Sequence, residues 1–95
     1  MDDAAPNPAG GDYRWVLVAE ADPQLPARVL AFFTSRNELP RQFRYSLLAH
    51  GELVLELQAP SEGDSPAQRL ALRFGAIPSV IGVQLFSPSG QALAV

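Results

Sequence analysis

The sequence predicts an α+β fold in which two helices cover one face of a four-stranded antiparallel sheet. Three observations carry that prediction. Residues 13–20, 42–49, 52–59 and 80–86 have the apolar content or two-residue alternation of strands. Residues 25 to about 36 and residues 65–75 have apolar side chains at helical spacing. These runs follow one another as strand, helix, strand, strand, helix, strand. That order is the split βαβ, or ferredoxin-like, βαββαβ arrangement. Its two right-handed crossovers place both helices on the same face.

The elements follow in order. Residues 1–12 are rich in Pro, Gly and Asp and read as a flexible leader. The first strand carries Trp15, Val16, Leu17 and Val18 in an almost unbroken apolar run, which places it centrally in the sheet. Asp22-Pro23 makes a turn, and Pro26 falls in the first turn of the next helix, where a missing N–H costs little. Asn37 suits a left-handed position at that helix's end. In 42–49 the alternation puts Phe43, Tyr45 and Leu47 on one face, directed inward, and Arg44 and Ser46 on the other.

His50-Gly51 separates two alternating runs and predicts a hairpin. The second arm turns Leu53, Leu55 and Leu57 inward and Glu52, Glu56 and Gln58 outward. Ser65-Pro66 opens the second helix, with Ser as cap, and Ala67, Leu70, Ala71 and Phe74 form its apolar stripe. Gly75 closes it. Gly82 interrupts the last strand, and Ser87-Pro88-Ser89-Gly90 turns into a C-terminal tail, 87–95.

Composition narrows the function. Ninety-five residues make one domain, and 47% apolar with 18% charged residues is enough for a core. A domain this small buries a modest share of its surface, so pairing with another chain helps it. A net charge of −3 argues against a nucleic-acid footprint. There is no cysteine, which excludes disulfides, thiolate nucleophiles and cysteine metal sites. All seven basic residues are Arg, so there is no lysine for a Schiff base or a P-loop. No apolar run reaches membrane-spanning length, and the acidic Met1-Asp2-Asp3 start is unlike a signal peptide. A soluble cytoplasmic protein without a cofactor is the expectation.

Candidate binding residues lie where the first strand passes into the first helix. Backbone N–H groups at a helix start can hold a carboxylate. Asp22, Gln24, Leu25, Pro26, Ala27 and Arg28 form that segment. Asp22 suits an ammonium group, or alternatively an Asx-turn. Gln24 suits a carboxylate or amide, and Arg28 a carboxylate or an acid across a dimer. The single His50 has no Cys or evident carboxylate partner and reads as a hairpin-tip residue. Glu52 and Glu56 lack the convergent second set that a paired-carboxylate site needs, and they suit an open sheet face or a pairing with Arg44. Phe43 and Tyr45 lack the basic flanks of an RNA-binding platform.

The order of elements and two segments carry a family resemblance. The run Asp22-Pro23-Gln24-Leu25-Pro26-Ala27-Arg28-Val29-Leu30 through Asn37 looks like the first loop and helix of ACT domains, the regulatory amino-acid-binding modules of metabolic enzymes. It resembles in particular the small regulatory subunits of acetolactate synthase. The run Arg69-Leu70-Ala71-Leu72-Arg73-Phe74-Gly75 through Val83 is similar to their second helix and last strand. The similarity spans residues 14–86, within an ACT-like domain of 13–86. Where ligand-binding ACT domains carry Gly after the loop proline, this chain has Gln24 and Leu25.

The resemblance implies a non-catalytic regulatory domain in amino-acid biosynthesis. Its expected partners are a second copy joined through sheet edges, an amino-acid ligand held by residues 22–28 with Asp22 on the ammonium, and a catalytic subunit. The alternative is a ligand-free interaction or dimerisation module of the same fold. An acylphosphatase-like enzyme ranks below both, because it needs an Arg in a Gly-rich first loop that this chain lacks.

Overall fold

The computed structural model describes residues 11–95. Of the predicted leader, only Gly11 and Asp12 fall among the described residues. The elements are β1 (Tyr13–Glu20), α1 (Leu25–Thr34), β2 (Gln42–Leu47), β3 (Glu52–Ala59), α2 (Asp64–Gly75), β4 (Val80–Phe86) and β5 (Ala92–Leu93). The strands form one sheet in the order β2-β3-β1-β4-β5, with every neighbouring pair antiparallel. The first four strands have the ferredoxin-like order, with β1 central. The sheet has five strands rather than the expected four. The Ser87–Gly90 turn, with Gly90 at φ 91° and its N–H on the Ser87 carbonyl, folds the tail back so that Ala92 and Leu93 pair with Phe86 and Leu85.

Alternation in the central strands builds a one-sided core. Tyr13, Trp15, Leu17 and Ala19 of β1 and Leu53, Leu55, Leu57 and Ala59 of β3 are all buried, and paired register puts them on the same face. Onto that face α1 brings Leu25, Val29 and Phe33, and α2 brings Ala67, Ala71 and Phe74. Both sets recur at three- or four-residue spacing, as one stripe of a helix must. Leu70 is only partly buried at the edge of the α2 stripe. Trp15 meets Phe33 and Phe74 edge-on, at centroid distances of 6.4 Å each. Its indole N–H donates to the Ala67 carbonyl at 3.1 Å, which satisfies the one polar atom it buries.

The opposite face of the sheet is half-open. Val16, Val18 and Val54 are half-buried there, and Glu56 bridges Arg14 at 3.4 Å and Arg44 at 3.1 Å across the strands. Arg14 also lies over the Phe86 ring, 4.3 Å from its centroid. One irregularity occurs in β4. The register shifts between Val18 and Ala19, so Ile81 has no partner and stands 60% exposed.

Three local expectations are corrected. Phe43, Tyr45 and Leu47 do pair with Leu57, Leu55 and Leu53, yet only Phe43 is half-buried. Tyr45 and Leu47 are exposed because the buried surface under the helices belongs to β1 and β3, with Leu85 of β4, and β2 lies beyond it. The α2 cap is Gly63 at φ 137°, not Ser65, which is already within the helix. Gly75 is likewise still helical, and Ala76 caps α2.

The end of α1 follows its turn chemistry. Asn37 is left-handed at φ 60°, a conformation Asn tolerates. Its N–H reaches the Thr34 carbonyl at 2.9 Å, and the Glu38 N–H reaches the Phe33 carbonyl at 3.0 Å. This is the Schellman pattern, and it reverses the chain so that Arg36 and Glu38 face each other across Asn37.

Burial predicts the cost of truncation. Leu55→Ala, at a fully buried position, should lower unfolding free energy by about 2–5 kcal/mol. Leu72→Ala, at 59% exposure on the outer side of α2, should change it by about 0.5 kcal/mol or less. Urea denaturation of the two variants measures both.

Candidate functional site

The segment 22–28 follows β1 and opens α1, and most of its polar groups are used within the fold. Asp22 Oδ1 accepts the Gln24 N–H at 3.0 Å, closing an Asx-turn. Asp22 Oδ2 accepts the Ser79 hydroxyl at 3.0 Å, and the Ser79 carbonyl accepts the Glu20 N–H at 2.9 Å. The carboxylate therefore clamps the β1–α1 loop to the loop before β4. The Leu25 N–H donates to the Asp22 carbonyl at 3.0 Å, the Arg28 N–H donates to the Gln24 carbonyl at 3.1 Å, and Pro26 has no N–H. The Leu25 side chain is fully buried in the core. Gln24, Ala27 and Arg28 are exposed to solvent.

Two of the six candidate residues meet in a cavity. A depression of about 300 Å³ lies between the β1–α1 loop and the β2–β3 hairpin. Asp22, Pro23 and Pro26 line one side, and Tyr45, Leu47 and Leu53 the other. The lining is largely apolar, with Asp22 as its one charged group. It suits an apolar side chain more than a charged head group. Gln24, Leu25, Ala27 and Arg28 do not line it. Ser79, Tyr45 and Leu47 are the residues here that sequence reasoning missed as site components. Ser79 is 57 positions from its Asp22 partner and carries no local signal.

A second cleft, of about 510 Å³, opens at the other end of β1. The buried Trp15 and Phe33 and the more exposed Arg36, Glu38, Leu39 and Leu70 are among its lining residues. Arg36 and Glu38 are paired at 3.4 Å, with both side chains more than half exposed.

Two further side-chain pairs form on the surface. His50 meets Glu52 at 3.1 Å at the hairpin tip, with both exposed. Arg41 pairs with Asp12 at 2.9 Å. Among the described residues no group of three or more His, Asp or Glu side chains is placed to hold a metal ion. No helix among them is long and apolar enough to cross a membrane. The Tyr13 hydroxyl donates to Asp64 Oδ1 at 2.6 Å in a part-buried hydrogen bond, which ties β1 to the start of α2. That hydrogen bond, then burial, then the Asp64 charge raise the Tyr13 pKa above its ordinary value.

The geometry defines a small α+β domain with the ferredoxin-like, ACT-like chain order and, among the described residues, no strand paired to the outer edge of β2. The solved structure of the C-terminal domain of the MgtC protein from Mycobacterium tuberculosis is similar to it, with a TM-score of 0.68 at 18% identity. The match covers 94% of this chain and 100% of that one. At such identity the likeness establishes a shared fold. No protein-family profile matches the sequence, and no curated protein matches it significantly.

The Tyr13 contact has a signed pH consequence. A raised pKa means that the native state holds the phenol proton more tightly than the unfolded chain does. The stabilisation is therefore complete below the ordinary tyrosine pKa of about 10 and is lost as pH rises through the folded value. Tyr13→Phe should cost about 1 kcal/mol at neutral pH. It should also flatten the fall in melting temperature on the alkaline side, which thermal unfolding across pH measures.

Proposed function

We propose that the chain is a non-catalytic regulatory domain that works by pairing through its β2 edge, first with a second copy of itself. The observation that carries this reading is the exposed apolar character of the β2 edge. On the other side, β5 pairs only with Leu85 and Phe86 at the end of β4. The β2 edge has no strand partner among the described residues, and Tyr45, Leu47 and Leu48 stand 58%, 64% and 36% exposed along it. Unpaired strand groups beside apolar side chains are a template for strand addition. Arg44 is the only charged residue within β2, so charge does little to block it. Two copies joined there form one continuous sheet, and the second copy covers the apolar depression beside Pro26 and Leu47.

A regulatory role fits this geometry better than a catalytic one. The Asp22 carboxylate already has an internal donor on each oxygen, and the loop N–H groups are largely consumed. A catalytic subunit of amino-acid biosynthesis is the further partner, and the acetolactate synthase type rests on the sequence resemblance alone. Amino-acid binding is the second reading, favoured by the depression that Asp22 and Pro26 line. There the apolar wall takes the side chain, and Asp22 exchanges an internal donor for the ammonium.

Sedimentation of the wild type and of Leu47→Arg, read beside a thermal-shift screen of the twenty amino acids, tests the proposal. A wild-type dimer that becomes a folded monomer in Leu47→Arg, with no amino-acid response, is the expected result. A concentration-dependent shift abolished by Asp22→Ala moves the assignment to amino-acid binding. A wild type that stays monomeric at every concentration overturns the pairing.

A further inference from the structure

The helix layer carries a charge opposite to that of the whole chain. Residues 25–36 and 65–77 hold four Arg, at 28, 36, 69 and 73, and no Asp or Glu, although the chain has a net charge of −3. All four are exposed. The acids of the sheet, Glu20, Glu52 and Glu56, lie on the opposite face. Arg28, Phe32 and Arg36 recur at four-residue spacing, and Arg69 precedes Arg73 by one turn of α2. Between the helices runs a groove of about 310 Å³, lined by Ala31, Phe32, Ser35 and Arg36 on one side and by Leu70 and Arg73 on the other. Phe32 and Leu70 are half-buried and supply its apolar surface. The Arg73 guanidinium lies over the Phe32 ring, 5.0 Å from its centroid. Among the described residues, Glu38 is the one acid paired with any of the four, meeting Arg36 at 3.4 Å.

We propose that this groove docks an acidic segment of a protein partner, with a large apolar side chain of that segment between Phe32 and Leu70 and its carboxylates on Arg36 and Arg73. Charge complementarity selects the class. Two guanidiniums beside an apolar strip match a peptide that carries carboxylates around one hydrophobic anchor. A guanidinium stacked on a ring keeps its N–H edge free, and that planar fork fits a carboxylate. The stacking restrains Arg73 before the partner arrives, which lowers the entropy cost of docking. The Arg36–Glu38 pair is exposed on both sides, at 55% and 59%, so it contributes little to the fold and a partner's carboxylate can take the place of Glu38. A nucleic-acid backbone fits less well, because the positive charge is confined to one strip of an acidic chain.

The groove lies between the helices rather than at the β2 edge, so its occupation does not depend on edge pairing. The test is the fluorescence anisotropy of a fluorescein-labelled synthetic peptide, Glu-Asp-Glu-Phe-Leu-Asp-Glu-Asp, titrated with the full chain. The expected result is a saturable rise at low salt that weakens as salt screens the charges. Replacing the peptide's Phe and Leu by Ala should weaken binding about tenfold or more, and so should the Arg36→Gln, Arg73→Gln double variant. Both arginines are exposed, so the circular dichroism of that variant should match the wild type. Arg41→Gln with Arg44→Gln removes the same charge outside the groove and should leave the titration unchanged. Leu47→Arg, at the β2 edge, should still bind. No saturable binding in the wild type, equal binding of the Ala peptide, or an equal loss in the Arg41 and Arg44 control overturns the proposal. Tighter binding of phosphatidylserine vesicles or of single-stranded DNA through Arg36 and Arg73 overturns it as well.

Discussion

The indole of Trp15, 1% exposed in the middle of the sheet, meets one helix through Phe33 and the other through Phe74, and it donates its N–H to the α2 carbonyl of Ala67. A strand residue that touches both helices fixes their distance from the sheet and from each other. The rest of the layer follows from this arrangement. Leu17 and Ala19 continue the same face toward Leu25 and Val29, and Tyr13 extends it toward α2 through its bond to Asp64. Interiors pack at crystal-like density, so once these rings are placed there is little freedom left in the helix positions.

That placement has a cost at one side. Two helices centred over β1 cover its immediate neighbours and leave the outer strand β2 without a roof. The chain deals with its two edges differently. A short tail turn supplies β5 to cover the Leu85–Phe86 end of β4, while β2 keeps Tyr45 and Leu47 in solvent beside the Pro26 depression. A domain of this size has little core to spare, and burying those side chains against a second chain adds apolar area where the monomer lacks it. Structure and proposed role meet at that edge.

Much of the architecture was legible in the residues. The bounds of β1, β3 and β4 could be read because their apolar content or alternation is strong, and β1 and β3 also sit in the buried middle of the sheet. The left-handed Asn37 was readable because few other side chains accept that conformation. Other features depend on distance rather than local pattern. Alternation in β2 says which side Tyr45 points to, but not how far the helices reach over it. The two-residue β5 is too short to show any period. The role of Asp22 as a clamp required Ser79, which the fold brings from the far side of α2. The Arg36–Glu38 pair came from a turn whose chemistry was visible, but its sharing of one cleft with Trp15 is a product of tertiary packing.

The central claim is that β2 is the working edge, and amide hydrogen exchange on residues 42–47 addresses it most directly. In an isolated monomer the β2 amides that point away from β3 face solvent and exchange rapidly, while those of β1 are protected. The account predicts that protection of these outward β2 amides rises with protein concentration, in step with dimer formation, while β4 and β5 stay unchanged. Rapid exchange of those amides at every concentration, or new protection confined to β4 and β5, would contradict it.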